Sequence, residues 1–189
     1  MTLHTFKEHN YYAEITGYTN ICSKQAITYL KNNRKTTKQN TEIQFYNSNL
    51  IATPNHLYFA ILNSLHAFKN HTNISKSIAM ENLLYASTQH QIQEAIQTIG
   101  LKPNMTKMAV TITGKNPQHI QTALNDLSTH LQTEPNDTVL DLTPKKNSQI
   151  KQTFNITPTM IKTITKNKKN NTALTDLIIE KMAVLTTKI

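Results

Sequence analysis

The strongest constraint on the fold is the apolar periodicity between residues 54 and 100. Three helical patterns follow one another in this segment, and the third is the clearest. Its apolar residues recur at the i, i+3, i+4 and i+7 positions of one helix face, and they are Ile92, Ala95, Ile96 and Ile99. We expect Gly100 to end this helix in a left-handed conformation, with Leu101 folding back on Ile96. The middle of the chain must therefore be a block of packed helices.

The junction between the second and third helical patterns lies at residues 86–90. The spacing Thr88-x-x-Gln91 fits a capping box, which predicts that the third helix begins at Thr88. A helix start attracts anions because its unpaired N–H groups and the positive pole of the helix dipole point the same way. The same sequence also fits a well-capped turn that binds no ligand, so the pattern alone leaves both interpretations open.

Strand patterns flank the helical block. Alternating apolar and β-branched residues predict four short strands, at 11–18, 43–51, 105–113 and 138–142. Further helical patterns occur at 23–30, 116–131, 147–154, 157–164 and 172–185. No internal repeat or long linker divides residues 1–189. We therefore expect a single-domain α+β fold, in which a small four-stranded mixed or antiparallel sheet packs with six to seven helices.

Composition excludes several classes of protein. The single cysteine, Cys22, excludes an internal disulfide and a zinc site built on cysteines, and we expect it to be a small buried residue. The three glycines are not spaced as in a phosphate-binding loop or a dinucleotide fingerprint. No apolar run approaches the roughly 18 residues of a membrane span, and the N-terminus lacks a signal-peptide core. We therefore expect a cytoplasmic protein without cofactor, metal or membrane contact.

The net charge of the chain is strongly positive. It is +9, which favours an anionic partner such as RNA or an acidic protein surface, although an AT-rich coding sequence would also produce many lysines. We expect the basic stretch 31–42 to be an exposed loop whose cations contact an RNA backbone, namely Lys31, Arg34, Lys35 and Lys38. Because Arg34 is the only arginine, single lysine charges must bind most phosphates.

A small acid–base enzyme is an alternative. His56, Glu81 and His90 lie in the central helical block and could form a proton-transfer set. The sequence supplies neither a nucleophile nor an orienting carboxylate for them, and it contains no zinc, kinase or hydrolase motif. His56 and His66 are ten residues apart on one predicted helix, about 15 Å along its axis, so we do not expect them to bind one metal ion.

The segment from 49 to 100 resembles one known family. The family pattern contains a histidine in the first helix and then E-apolar-apolar-x-x-x-S-G-x-R-Q-I-x-x-A-I-x-x-x-G. The residues that match it are His56, Glu81, Leu83, Ser87, Gln91, Ile92, Ala95, Ile96 and Gly100. The chain departs at Thr88, where the family has glycine, at His90, where it has arginine, and at Asn49, where it has aspartate. On these residues the chain resembles the small non-catalytic subunit of the KEOPS complex, the PRPK-binding protein family, in its archaeal form.

The resemblance implies a function in tRNA modification. KEOPS makes the threonylcarbamoyl-adenosine of certain tRNAs. In this family the subunit docks on the small atypical kinase subunit and helps to hold the tRNA by its single-stranded CCA end. The residues implied for contact with this end are His56, Ser87, Thr88, His90 and Gln91. A general RNA-binding module driven by lysine loops is a further alternative, and the sequence does not indicate whether the chain forms homo-oligomers.

The last helical pattern, 172–185, is apolar around more of its circumference than one buried face requires. A helix of this kind is either buried or covered by a partner. We expect it to contact the kinase subunit, through Leu174, Leu177, Ile178 and Ile179.

Overall fold

An antiparallel sheet of four strands is the centre of the fold. The computed structural model describes residues 3–33, 41–165 and 170–185. The strands are β1 (Leu3–Phe6), β2 (Tyr11–Thr19), β3 (Thr41–Tyr46) and β4 (Lys107–Gly114). Their order in the sheet is β1-β2-β4-β3, and every neighbouring pair is antiparallel. Ala109 of β4 lies opposite Gly17 of β2 and Tyr46 of β3, which fixes the register of the three longer strands.

Helices cover both faces of the sheet. They are α1 (Ser23–Asn33), α2 (Pro54–Lys69), α3 (Ile78–Ser87), α4 (Ile92–Ile99), α5 (Pro117–Leu131), α6 (Pro144–Thr153), α7 (Pro158–Thr165) and α8 (Asn170–Leu185). The first and fifth pack on one face, around Tyr18 and Met108. The others pack on the opposite face, around Ala13 and Leu83. The expected α+β fold is confirmed with an antiparallel sheet, and the described residues contain eight helices rather than six or seven.

One predicted strand is wrong. Residues 138–142 alternate like a strand, but the structure has a 3-10 helix at Asp137–Leu140. The side-chain oxygen of Asn136 accepts the N–H of Thr138 at 3.1 Å, and the N–H of Asn136 donates to the carbonyl oxygen of Gly17 at 2.7 Å. The segment therefore curls against β2 and does not add a strand. The fourth strand is β1, whose four residues are too few to show a clear alternation.

Gly100 is needed because the backbone of α4 passes close to its Cα, and not because it forms a left-handed turn. Its φ is −65° and its ψ is 156°, so the expected conformation is wrong. Its N–H donates to the carbonyl oxygen of Ile96 at 3.0 Å, and the residue pairs with Tyr46 as an isolated antiparallel bridge. A Cβ at this position would lie 2.5 Å from that carbonyl oxygen. Leu101 packs against the cluster around Tyr18, on the α1–α5 side of the sheet, and does not follow the expected contact.

Cys22 lies at the surface. It is the residue before α1, and its neighbours Ile21 and Ser23 are buried while its own side chain is exposed. The expectation of a buried cysteine is therefore wrong, because the alternation of the chain at this point turns Cys22 outward.

Candidate functional site

A left-handed turn joins α3 to α4. Thr88 ends α3 with φ 55° and ψ 33°, and its N–H donates to the carbonyl oxygen of Tyr85 at 3.0 Å. This conformation is a common way to end a helix. The next helix begins only at Ile92, with Gln91 as its N-cap. The predicted capping box is therefore wrong, because Thr88 closes the preceding helix and does not open the following one.

Replacing Thr88 by glycine is expected to stabilise the protein by about 1 kcal/mol. A β-branched residue is strained in the left-handed region, whereas glycine is not, and the greater freedom of glycine in the unfolded chain offsets part of the gain. Urea-induced unfolding monitored by circular dichroism measures the change. Thr122→Gly, at an exposed position inside α5, is the matched control and should destabilise by roughly 0.3 kcal/mol, the difference between the helix propensities of threonine and glycine. Equal destabilisation by both substitutions would contradict the strain at Thr88.

His56 supports the turn from the protein interior. Its Nδ1 accepts the N–H of Ala52 at 3.2 Å, and its Nε2 lies 2.8 Å from the carbonyl oxygen of Ala86. Because the N–H of Ala52 can only donate, Nδ1 must be the unprotonated nitrogen of the ring. The neutral imidazole therefore carries its proton on Nε2, which donates to the carbonyl oxygen of Ala86. Burial lowers the pKa of His56 to about 4, and Phe154 packs edge-on with ring centroids 5.8 Å apart. A neutral histidine thus ties the last turn of α3 to the start of α2.

Ser87 and His56 have no exposed surface for a ligand. Ser87 is 1 % exposed and its hydroxyl donates to the carbonyl oxygen of Leu84 at 3.0 Å, while His56 is 0 % exposed. The expectation that these two residues contact an RNA end directly does not agree with the structure, because their polar atoms are bonded inside the protein. Their position is consistent with holding the turn in place.

The turn presents a short polar surface. Thr88, Gln89 and His90 are half-buried, whereas Gln91 is exposed and makes no side-chain cap bond to α4. The first N–H groups of α4 therefore receive no cap from this side chain. The Nε2 atom of His90 is enclosed by protein and has no hydrogen-bond partner within residues 3–33, 41–165 and 170–185. The structure brings Thr88, His90 and Gln91 together at one edge of the helical layer.

Helix α4 exposes two isoleucines. Ile92 is 39 % exposed and Ile96 is 45 % exposed, whereas Ala95 and Ile99 of the same stripe are buried. The exposed pair lies one turn apart on one helix face. Sequence periodicity identified the stripe but could not show how much of it this short helix buries. The other exposed large apolar side chains of the described chain belong to separate elements, and they are Leu3, Ile74 and Val184.

Glu81 does not form an acid–base set with His56 and His90. Its buried carboxylate accepts the N–H groups of Ile74 at 3.1 Å and Ser75 at 2.7 Å. It lies in the first turn of α3, roughly 9 Å along the helix axis from the end that carries the turn. Both ring nitrogens of His56 are also engaged with backbone groups. The arrangement gives no support to the acid–base enzyme, and these groups stabilise the helices instead.

Of the basic residues named from the sequence, the structure describes Lys31, which does not lie at the turn. Lys31 is exposed in the last turn of α1, which packs on the sheet face opposite to α3 and α4. Arg34, Lys35 and Lys38 lie outside the described residues. The structure therefore separates Lys31 from the polar surface of the turn by the thickness of the sheet.

Helix α8 belongs to the core. Leu174, Leu177 and Ile178 are 1 %, 4 % and 0 % exposed, and Ile179 is half-buried. The helix packs against α2, α3 and α7, which explains why it is apolar on several sides. The expected kinase contact through Leu174, Leu177 and Ile178 is therefore not compatible with the structure, because these side chains cannot reach a partner without opening the core.

Two further features bear on the class of site. Within the part of the chain that the structure describes, no group of three or more His, Cys, Asp and Glu side chains is placed to hold a metal ion. None of the helices in that part combines the length and the apolar surface that crossing a membrane requires.

The structure is that of a small α+β protein with a polar turn between α3 and α4, and the candidate acid–base residues are not assembled. The sequence profile of the family described as kinase binding protein CGI-121 matches residues 18–186, which is most of the chain. The chain therefore belongs to the CGI-121 family of kinase binding proteins, the KEOPS subunit family. No curated protein matches the sequence. The resemblance carried by the central segment is thus confirmed for the family, and the archaeal type stays a prediction.

Proposed function

We propose that this protein is the non-catalytic subunit of a KEOPS complex, which binds the kinase subunit and holds the CCA end of a tRNA during threonylcarbamoyl-adenosine formation. Membership in a family of kinase binding proteins supports the kinase partner. The observation that carries the tRNA proposal is the left-handed turn between α3 and α4, which is fixed from inside by His56 and is polar outside. The net charge of +9 favours an anionic partner.

Each residue of the turn has a distinct role in this proposal. The N–H groups at the start of α4 donate hydrogen bonds to a phosphate, since the helix dipole favours negative charge there. The exposed amide of Gln91 and the hydroxyl of Thr88 bond base edges or sugar, and the half-exposed ring of His90 stacks on a base. Ser87 and His56 contribute indirectly, because they hold the backbone of the turn.

Replacing His90 by alanine is expected to weaken binding of intact tRNA by about 1–3 kcal/mol, which is the cost of losing one base stack. The same variant should bind tRNA without its CCA end as the wild type does. His90→Arg should bind intact tRNA at least as tightly, because a guanidinium both stacks and pairs with phosphate. Fluorescence anisotropy with labelled intact and truncated tRNA measures these affinities for the wild type and both variants.

The control for this experiment is His71→Asn, at an exposed histidine in the connection between α2 and α3. It should change neither affinity. Equal losses of affinity for intact and truncated tRNA in His90→Ala would contradict recognition of the CCA end. They would favour general binding by lysines, which contact only the phosphate backbone.

The kinase-binding surface in this proposal is the exposed isoleucine pair of α4, Ile92 and Ile96. Three of the four α8 residues suggested by the sequence as kinase contacts are buried. In the described chain, Ile92 and Ile96 are the two exposed large apolar side chains that share one helix face. Partner surfaces commonly have an apolar centre with a polar rim. Exposed Gln93 and Gln97 lie beside the pair on the same helix and provide such a rim. The tRNA end would then lie next to the kinase.

A further inference from the structure

A polar cavity lies at the end of the sheet where β4 begins. It has a volume of about 490 Å³ and opens between the start of β4, the N-terminus of α6 and the 3-10 turn Ser48–Leu50. Small-molecule sites commonly have volumes of roughly 300–1,000 Å³. The residues that line this cavity belong neither to the turn between α3 and α4 nor to the isoleucine pair of α4. The cavity is therefore separate from both of the surfaces described above.

The lining of the cavity has an excess of positive charge. Lys107, Lys145 and Lys146 line it, and Asp141 is the carboxylate beside them, which leaves two formal positive charges uncompensated. The side chains of Lys107 and Lys145 are exposed, so they can reach an anion at the mouth of the cavity. Lysine ammonium groups bind phosphate as point charges. The lining thus favours an anionic ligand over a neutral one.

Lys146 is the buried member of this group. It is 6 % exposed, and its Nζ donates to the carbonyl oxygen of Val139 at 3.0 Å. Burial lowers the pKa of Lys146 to about 8, while Asp141 acts in the opposite direction. At pH 7 the amine is therefore still charged, although its surroundings solvate that charge poorly. This charge stabilises an anion that enters the cavity, because the anion takes the place of the water that burial has removed from the ammonium group of Lys146.

We propose that this cavity binds a phosphorylated nucleotide. The phosphate lies between Lys107, Lys145 and Lys146, and the nucleoside lies against hydroxyl and amide groups of the lining such as those of Thr143 and Asn49. Inorganic phosphate would fill only a small part of the volume. A free nucleotide and a nucleotide within an RNA chain offer the same chemistry, and experiment can separate these two sources.

Isothermal titration calorimetry of the purified protein with AMP, adenosine and inorganic phosphate tests the proposal. We expect AMP to bind, and adenosine to bind at least about tenfold more weakly because it lacks the charge-assisted contacts to lysine. Asn49→Asp keeps the shape of an exposed side chain and adds a negative charge to the lining, so it should weaken AMP about tenfold. The double variant Lys107→Gln/Lys145→Gln should weaken AMP further. Asn125→Asp, on the exposed face of α5, adds the same charge elsewhere and should change nothing.

Titration of tRNA into the same variants identifies the source of the nucleotide. Loss of AMP binding alone indicates a free nucleotide, and loss of tRNA binding, with or without loss of AMP binding, indicates a nucleotide of an RNA chain. The proposal is overturned if AMP binds no more tightly than adenosine and the variants bind tRNA normally, or if neither Asn49→Asp nor the lysine double variant weakens any of these ligands. His90→Ala should leave AMP binding unchanged. The experiments therefore distinguish failure of the nucleotide proposal for the cavity from failure of the tRNA-end proposal for the α3–α4 turn.

Discussion

Leu177→Asp is expected to unfold the protein, whereas Ile96→Asp is expected to leave it folded and to remove most of its affinity for the kinase subunit. Leu177 is 4 % exposed, and an unpaired carboxylate in that position costs more than about 4 kcal/mol. Ile96 is 45 % exposed, so the same substitution costs little stability there. A central interface residue contributes about 2 kcal/mol or more to binding, which corresponds to roughly 30-fold in affinity.

Thermal unfolding monitored by circular dichroism separates loss of fold from loss of binding, and calorimetry with the kinase subunit measures the affinity. Gln97→Asp adds the same charge at the next exposed position of α4 and should bind the kinase nearly as the wild type does. A folded Leu177→Asp protein would contradict the core position of α8. Normal kinase affinity of Ile96→Asp would exclude this face of α4, and loss of tRNA binding instead would assign the face to the RNA.

Acidification from about pH 6.5 to pH 4 is expected to destabilise the protein by up to about 3 kcal/mol through His56 alone. Burial lowers the pKa of this imidazole from 6.5 to about 4 in the folded protein. In this window the unfolded chain binds a proton at His56 that the folded chain does not bind. Stability therefore falls as the pH falls, and the loss is complete below the folded pKa. Protonation of Nδ1 would also remove the acceptor of the N–H of Ala52.

Urea-induced unfolding at pH values between about 4.5 and 7 measures this effect by comparison with His56→Gln. The variant should be less stable at pH 7 but should depend less steeply on pH, because its side chain does not titrate. His4 and His9, whose pKa values are also lowered mainly by burial, remain in both proteins and cancel in the comparison. His71→Asn should keep the full dependence. Equal slopes for the wild type and His56→Gln would show that His56 is not buried in its neutral form.

The central strands could be predicted because their alternation is long. β2 and β4 begin and end within two residues of the predicted ranges 11–18 and 105–113. β1 could not be predicted from four residues, of which Leu3 is exposed. Residues 138–142 show equally good alternation, but Asn136 bonds the backbone next to them and so competes with sheet pairing. Apolar alternation does not record such local hydrogen bonds.

The residues of the candidate site could be located from the sequence but not oriented. The family pattern places His56, Ser87 and Thr88 around one junction, and the structure brings them together there. Which of them are buried depends on how α2 packs against α3, and no local pattern contains that information. Thr88 fits both the start of one helix and the end of the preceding one, and only its left-handed φ decides. The wide apolar circumference of α8 likewise fits both a core helix and a partner surface.

The attachment of α4 to the sheet has an evolutionary consequence. The N–H of Asn47 donates to the carbonyl oxygen of Ile99 at 2.7 Å, and Gly100 pairs with Tyr46, so main-chain contacts fix this end of the helix. Its position does not depend on the side chains that α4 turns outward. Those side chains can be substituted during evolution without moving the helix. Any side chain at Gly100, in contrast, would collide with the carbonyl oxygen of Ile96. If this face binds the kinase subunit, as we propose, single substitutions can therefore adapt it to a changed partner.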